Sequence, residues 1–269
     1  MNGGMPSAGL SEVQIRTLLK PHAKTAVSSL RVLQDTDSTN ARLLAEPASL
    51  VGFDVLFAEA QSAGRGRQGR RWHSPKGAHL YFSIGTVYRG DLARLPPLAL
   101  AVGVACAEAV EAVAQQDVQL KWPNDLYLAE RKLGGILIET QSLARNVVHV
   151  VMGVGLNVHM PEDADAWIDQ PWSDLRASPV EVDRNALAAE CVGRVITAFG
   201  KFEAEGFPAF RADYARRDLL LDRDIDIHLH DQVQRARACG VNQTGALCIE
   251  SPHDGVIRQL RAGEVSVRL

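Results

Sequence analysis

Cysteine is scarce in this 269-residue sequence, aromatic residues make up only 6% of it, and long uninterrupted apolar runs are missing. The four cysteines, Cys106, Cys191, Cys239 and Cys248, lie far apart and form no C-x-x-C pair. That spacing argues against a zinc site and against a disulfide-framed secreted domain, and it fits reduced, mostly buried thiols. The most apolar segment, residues 95–114, is interrupted by Glu108 and Glu111, so it reads as a core helix and not as a membrane span. Residues 1–20 carry Glu12, Arg16 and Lys20 and no secretory apolar segment. The expectation is a cytoplasmic protein with no membrane partner. A formal net charge of −3 carries no global signature of nucleic-acid binding.

The most informative absence is local. Between Glu59 and Asp91 there is neither Asp nor Glu, and inside this gap residues 61–72 read Gln-Ser-Ala-Gly-Arg-Gly-Arg-Gln-Gly-Arg-Arg-Trp. Arg65, Arg67, Arg70 and Arg71 crowd positive charge onto a loop that Gly64, Gly66 and Gly69 keep narrow, so the empty loop repels itself and calls for an anion. A strand-like run, residues 53–58, leads into it and another, residues 79–87, leaves it, which argues against a low-complexity tail. A phosphate or carboxylate site and a nucleic-acid contact both remain open on this evidence. The three glycines also match G-x-G-x-x-G. Pro75, Gly77 and a period-two strand follow, however, so there is no helix N-terminus to hold a pyrophosphate and the arginines must do that work.

The remaining chain reads as α+β. After a leader, residues 1–9, a helix is expected over residues 11–20 with Ser11 as N-cap, then a strand at 30–33. Ser38, Thr39 and Asn40 belong to a polar cluster that either caps a helix at 41–44 or also hydrogen-bonds a small polar ligand. A helix over 97–116 precedes strands at 118–122, 126–128, 133–140 and 147–158, with Asn124-Asp125 as a turn. Gly134-Gly135 within a β-branched strand implies that something lies against the backbone, a ligand being the simplest candidate, with Lys132 at its edge. Gly153, Gly155 and Asn157 share one face of the next strand. Helices are expected at 183–205 and 207–218, and five short strands (225–229, 232–238, 246–250, 255–260, 264–269) suggest a small barrel. The expected division is residues 1–29 as leader and short helix, 30–220 as the main α+β domain, and 221–269 as the barrel.

Five motifs in this order are similar to those of the bacterial biotin protein ligases: Asp37-Ser-Thr-Asn40, the Gln61 to Trp72 loop, Lys121-Trp-Pro-Asn-Asp125, Lys132-Leu-Gly-Gly-Ile-Leu-Ile-Glu139 and Gly153-Val-Gly-Leu-Asn157. The likeness runs from about residue 30 to the C-terminus and includes Gly255-Val-Ile and the 263–268 run. It implies a mixed sheet packed with helices, followed by a small SH3-like barrel. It also implies an ATP-dependent ligase that makes biotinyl-5'-AMP and passes biotin to a lysine of a biotin carboxyl carrier domain, Mg²⁺ arriving with ATP and no cofactor being permanently bound.

By the same resemblance Ser38, Thr39, Asn40 and Gln61 hold the ureido end of biotin. Arg65, Gly66 and Arg67 line its carboxylate side, with Lys132, Gly134 and Gly135 beside them. Arg65, Arg67, Arg70, Trp72, Lys121, Asn124, Asp125, Lys132, Gly155 and Asn157 place ATP and the adenylate, and Arg67 and Lys132 carry the catalytic charge. The front of the chain, about thirty residues, is too short for the helix-turn-helix many relatives carry, so the short form without DNA binding is expected. A homodimer through an exposed sheet edge is plausible on this reading. A lipoate or octanoate ligase and a non-catalytic biotin-binding module are the alternatives.

Overall fold

The computed structural model describes residues 9–77, 79–229, 232–252, 254–261 and 266–268. Strand β1 (Val27–Leu33) and β2 (Phe53–Ala58) are parallel, joined by helix α3 (Thr39–Ala45), and every later pairing in the sheet is antiparallel. With β3 (His79–Arg89), β4 (Gln119–Lys121), β5 (Asp125–Leu128), β6 (Arg131–Ala144) and β7 (Val147–Asn157), the order is β1-β2-β3-β7-β6-β5-β4. This is the mixed, helix-packed sheet that the sequence led us to expect.

Period-two alternation divides the sheet into two unlike faces. Phe82, Ile84, Val150, Met152, Val154 and Leu156 point into the large core, which helices α4 (Leu98–Ala114) and α5 (Arg184–Glu205) cover. The opposite face carries Ser83, Gly85, Gly153 and Gly155 and is partly covered by α3, whose Leu43 meets Leu56 and Val151 in a small cluster. That thin cover leaves room beside α3 for a ligand. Helix α4 is alanine-rich and ends at Gln115 in the left-handed region (φ 53°). Helix α5 starts at Asp183, whose side chain accepts from Asn185 N (2.9 Å), and stops at Gly206 (φ 73°).

Two helical expectations change. The helix expected over residues 11–20 is capped by Ser11 as anticipated but ends early. Pro21 starts a second one, giving α1 (Glu12–Leu18) and α2 (Pro21–Ala26). Leu10, Ile15, Leu19 and Ala23 are buried in the main core, so residues 9–26 are part of the α+β body; residues 1–8 lie outside the described residues. The helix expected over 207–218 shrinks to one 3-10 turn and α6 (Arg211–Ala215), because the chain must turn at Asp218 to pair beside Leu120.

The C-terminal strands β8 (Asp224–Leu229), β9 (Gln232–Val241), β10 (Leu247–Glu250), β11 (Ile257–Leu260) and β12 (Ser266–Arg268) form a second antiparallel sheet in the order β11-β10-β9-β8-β12. Its order, with the last strand returning beside the first, matches the small barrel-like module expected. Residues 263–265 of the final motif lie outside the described residues. The sheet is tied to the rest of the chain by Trp122 Nε1, which donates to Gly245 O (3.0 Å), and by Arg211 Nε, which donates to Val241 O (3.2 Å). No helix among the described residues is long and apolar enough to cross a membrane.

Asp218 sits at this junction and accepts from Leu220 N (3.0 Å), and burial pushes its carboxyl up to about 6. The folded state therefore binds this proton more tightly than the unfolded chain. The stabilisation from protonated Asp218 is complete at low pH and is lost as pH rises through about 6, at most about 3 kcal/mol and less where solvent reaches the group. Asp218→Asn keeps the acceptor and should raise stability at pH 7, with the gain disappearing below about pH 4; denaturant titrations at both pH values measure it.

Candidate active site

The arginine loop is a small hairpin. Gln61 N donates to Ser74 O (3.3 Å), Trp72 N to Gly64 O (2.9 Å) and Gly66 N to Arg70 O (2.7 Å), and the tip turns through Gln68 (φ 57°) and Gly69 (φ 71°). A Cβ on Gly64 would lie 2.5 Å from Trp72 O, so this glycine serves the close approach of the hairpin's own arms. No helix follows, as the sequence indicated.

The floor of the site comes from β6 and β7. A Cβ on Gly155 would lie 2.7 Å from the Trp72 indole, and one on Gly153 would collide with the Asn40 amide. Both glycines make room for side chains that then shape the cleft. Gly135 faces the same space, 3.6 Å from Trp72 at its virtual Cβ. Gly134 does not. Its Cβ would meet Gly155 O at 2.6 Å and Leu156 Cδ2 at 2.7 Å, so its role is strand packing, which corrects its placement beside a ligand. Alternation requires this, since neighbouring residues of a strand face opposite sides.

One open cleft of about 800 Å³, its solvent-facing mouth included, is lined by Ser38, Thr39, Asn40, Gln61, Arg65, Gly66, Arg67, Arg70, Trp72, Asn124, Asp125, Lys132, Gly135 and Gly155, and by Gly153, Arg71 and Gln170, which the sequence-based site did not include. Its two ends differ chemically. At the polar end Thr39 N donates to Gln61 Oε1 (2.9 Å) and Gln61 Nε2 to Ser74 Oγ (3.0 Å). Ser83 Oγ lies 2.7 Å from Thr39 Oγ1 and donates to Asn40 Oδ1 (2.5 Å). Asn40 Nδ2 in turn donates to Glu139 Oε2 (2.8 Å), and Arg65 pairs with Glu139 at 3.3 Å. Ser38, not Thr39, caps α3, accepting from Ala41 N at 3.4 Å.

At the basic end Lys132 Nζ sits 2.9 Å from Asp125 Oδ1 and 5.6 Å from the centre of the Trp72 ring. Arg67 reaches Asn124 Oδ1 at 3.4 Å, and Asn124 is itself held by donation to Ile136 O (2.7 Å). Burial lowers the guanidinium pKa of Arg67, which Asp125 partly offsets; Arg70 adds to the lowering. Lys121 and Asn157 are outside the cleft lining. Lys121 contacts the Tyr127 hydroxyl (3.3 Å) in a groove that continues the cleft past Arg67 and Arg70. Asn157 donates to Lys132 O (3.3 Å) and Ser173 O (3.1 Å), fixing the backbone under Lys132.

Ser83 and Glu139 were missed as site residues. Ser83 is buried in β3 between Phe82 and Ile84, and Glu139 ends the Lys132 to Glu139 motif. Only an unexplained polar residue on the α3-facing side of each strand signals them.

Comparison with known proteins shows which class of protein has this mixed sheet and cleft. The sequence pattern of the Biotin/lipoate A/B protein ligase family matches residues 32–157. The bifunctional ligase/repressor BirA of Salmonella typhimurium is 34% identical over 267 residues, 98% of this chain and 83% of that protein. The biotin-(acetyl-CoA-carboxylase) ligase of Mycobacterium tuberculosis is 35% identical over 231 residues, 82% of this chain and 83% of that one. The biotin protein ligase from Aquifex aeolicus in complex with biotin and ATP superposes with a TM-score of 0.74 at 28% identity, covering 90% of this chain and 99% of its own. This chain belongs to the biotin protein ligases.

Proposed function

We propose that the chain activates biotin with ATP and transfers it to a lysine of a biotin carboxyl carrier domain. The observation that carries this reading is the union, in one cleft, of a hydrogen-bonding end, where the one carboxylate, Glu139, is paired with Arg65, and a strongly basic end. Such a cleft suits a ligand with a polar neutral head and a carboxylate tail that meets a phosphate. The head lies among Ser38, Thr39, Asn40 and Gln61. The tail extends past Gly66 toward Arg65, Arg67 and Lys132, where the α-phosphate of ATP is brought in.

In the first step a carboxylate oxygen forms a bond to the α-phosphorus and pyrophosphate leaves with its bonding electrons. In the second, a neutral lysine amine attacks the acyl carbon, the bond from that carbon to the phosphate oxygen breaks with its electrons going to AMP, and the nitrogen releases one proton to solvent as the amide forms. Negative charge gathers on phosphate oxygens in both steps, so positioning and electrostatics supply the catalysis, and Lys132, Arg67 and Arg70 supply the charge. Trp72 offers a flat apolar surface over Gly155 for the adenine, and Asn124 and Asp125 hold the cationic groups in place. The groove past Lys121 gives the pyrophosphate a basic exit. Mg²⁺ enters as part of the nucleotide substrate; among the described residues no group of three His, Cys, Asp or Glu side chains is placed to hold a metal. The proposal extends to a cytoplasmic enzyme, homodimeric through a sheet edge, with no DNA or membrane ligand.

The test is ATP-pyrophosphate exchange. Exchange should require biotin, and biotin should then pass to a purified carrier domain. Exchange supported by lipoate or octanoate instead of biotin would overturn the reading. Thr39→Val keeps the side-chain shape but removes a hydroxyl that the Gln61 and Ser83 network surrounds. Biotin binding should weaken by about 1–3 kcal/mol, as calorimetry would show, with the fold unchanged.

A further inference from the structure

We propose that Arg184 is a positioning residue of the ligand loop, clamping both of its ends from the first turn of α5; this rests on the function proposed above. Residue 59 precedes the loop and residue 79 follows it. Arg184 Nη1 donates to Glu59 Oε2 (2.8 Å) and to His79 O (2.9 Å), while Nη2 donates to Glu59 Oε1 (3.1 Å). One planar fork thus grips the end of β2 and the start of β3 together, a geometry that a lysine point charge cannot reproduce. Gly77 N donates to Glu59 O (3.1 Å) and closes the loop's neck a second time.

The clamp is buried, the side chains of Arg184 and Glu59 being 1% and 5% exposed. A buried ion pair brings little net stability over well-packed apolar residues, because desolvation cancels much of the attraction. Its use here is directional. The loop carries four arginines and no carboxylate, so self-repulsion splays it unless its base is rigid. Leu10 N also donates to Glu59 Oε1 (2.6 Å), and Asn185, next to Arg184, accepts from Ser11 N (2.8 Å) and donates to Gly9 O (3.3 Å). The N-terminal segment is therefore a third member of the clamp. Through Gln61 and Arg65 to Arg71, the clamp sets how tightly the loop closes over the adenylate.

The experiment uses the full chain with Arg184→Lys and, separately, the charge-free pair Arg184→Met with Glu59→Leu. Each protein is loaded with biotin and ATP, freed of excess ligand, and followed for loss of biotinyl-AMP, with thermal unfolding and the biotin KM measured alongside. The native chain must first form biotinyl-AMP, and its failure to do so would count against the proposed function and not the clamp. We expect adenylate loss to quicken by about tenfold or more and biotin KM to rise in both variants, the cost of a displaced ligand loop, while the charge-free pair unfolds cooperatively near the native temperature. A role in stability alone would move only the unfolding temperature. Native retention of the adenylate in either folded variant overturns the proposal. Failure of both variants to fold also overturns it, since the pair would then serve the core.

Discussion

Lys132→Ala is expected to slow biotinyl-AMP formation by about 10²–10³-fold, the usual cost of removing one donor aimed at developing charge. The ammonium is poised, 2.9 Å from Asp125 and above the Trp72 ring, on a backbone that Asn157 holds from beneath. Its removal does more than delete a cation. Asp125 is left without its ion-pair partner where phosphates must bind, adding repulsion, so the KM for ATP should rise while biotin affinity changes less. Quenched-flow measurement of the single-turnover rate decides the matter. A native rate in the alanine variant would remove Lys132 from the chemical step.

Arg67→Gly should act at a different point. Arg67 is only loosely held at 3.4 Å from Asn124, so its fork is available to a carboxyl or phosphate oxygen. Losing one charged hydrogen bond of about 1.5–3 kcal/mol should speed adenylate release by about 10- to 100-fold. Glycine at this position, between Gly66 and Gly69, also frees the loop backbone. The first step should survive, and released adenylate should label exposed lysines of bystander proteins. Rapid filtration after loading measures the release, and mass spectrometry of an added inert protein reads the labelling. Release at the native rate would show that Arg67 does not retain the intermediate. Together the two variants separate forming the adenylate from keeping it.

Much of this was open to a reader of the chain because local physics governs it. The acid-free stretch around the loop, the absence of a helix after Gly69 and the period-two pattern of residues 147–158 all survive as features of the structure, since they depend on neighbours within a few residues. The Gly134-Gly135 pair shows both the reach and the limit of such local physics. A glycine pair in a strand announces close approach, but adjacent residues face opposite sides, so Gly135 opens on the cleft and Gly134 packs on Leu156. Helix ends were less legible. Pro21 marks the start of α2, yet the shortening of the 207–218 helix depends on pairing with Leu120, far off in the chain.

What the sequence by itself determined is the concentration of charge in residues 61–72, the polar run at 38–40 and the family to which both belong. What only the tertiary structure decided is which groups meet. Ser83 and Glu139 enter the polar end because α3 covers one face of the sheet, and Arg184 reaches Glu59, 125 positions away, because α5 crosses the opposite face. Such contacts have no local signature. A buried serine or arginine has the same sequence neighbours whether or not a partner waits across the core, and its partner is chosen by sheet order and helix packing, which are properties of the whole fold.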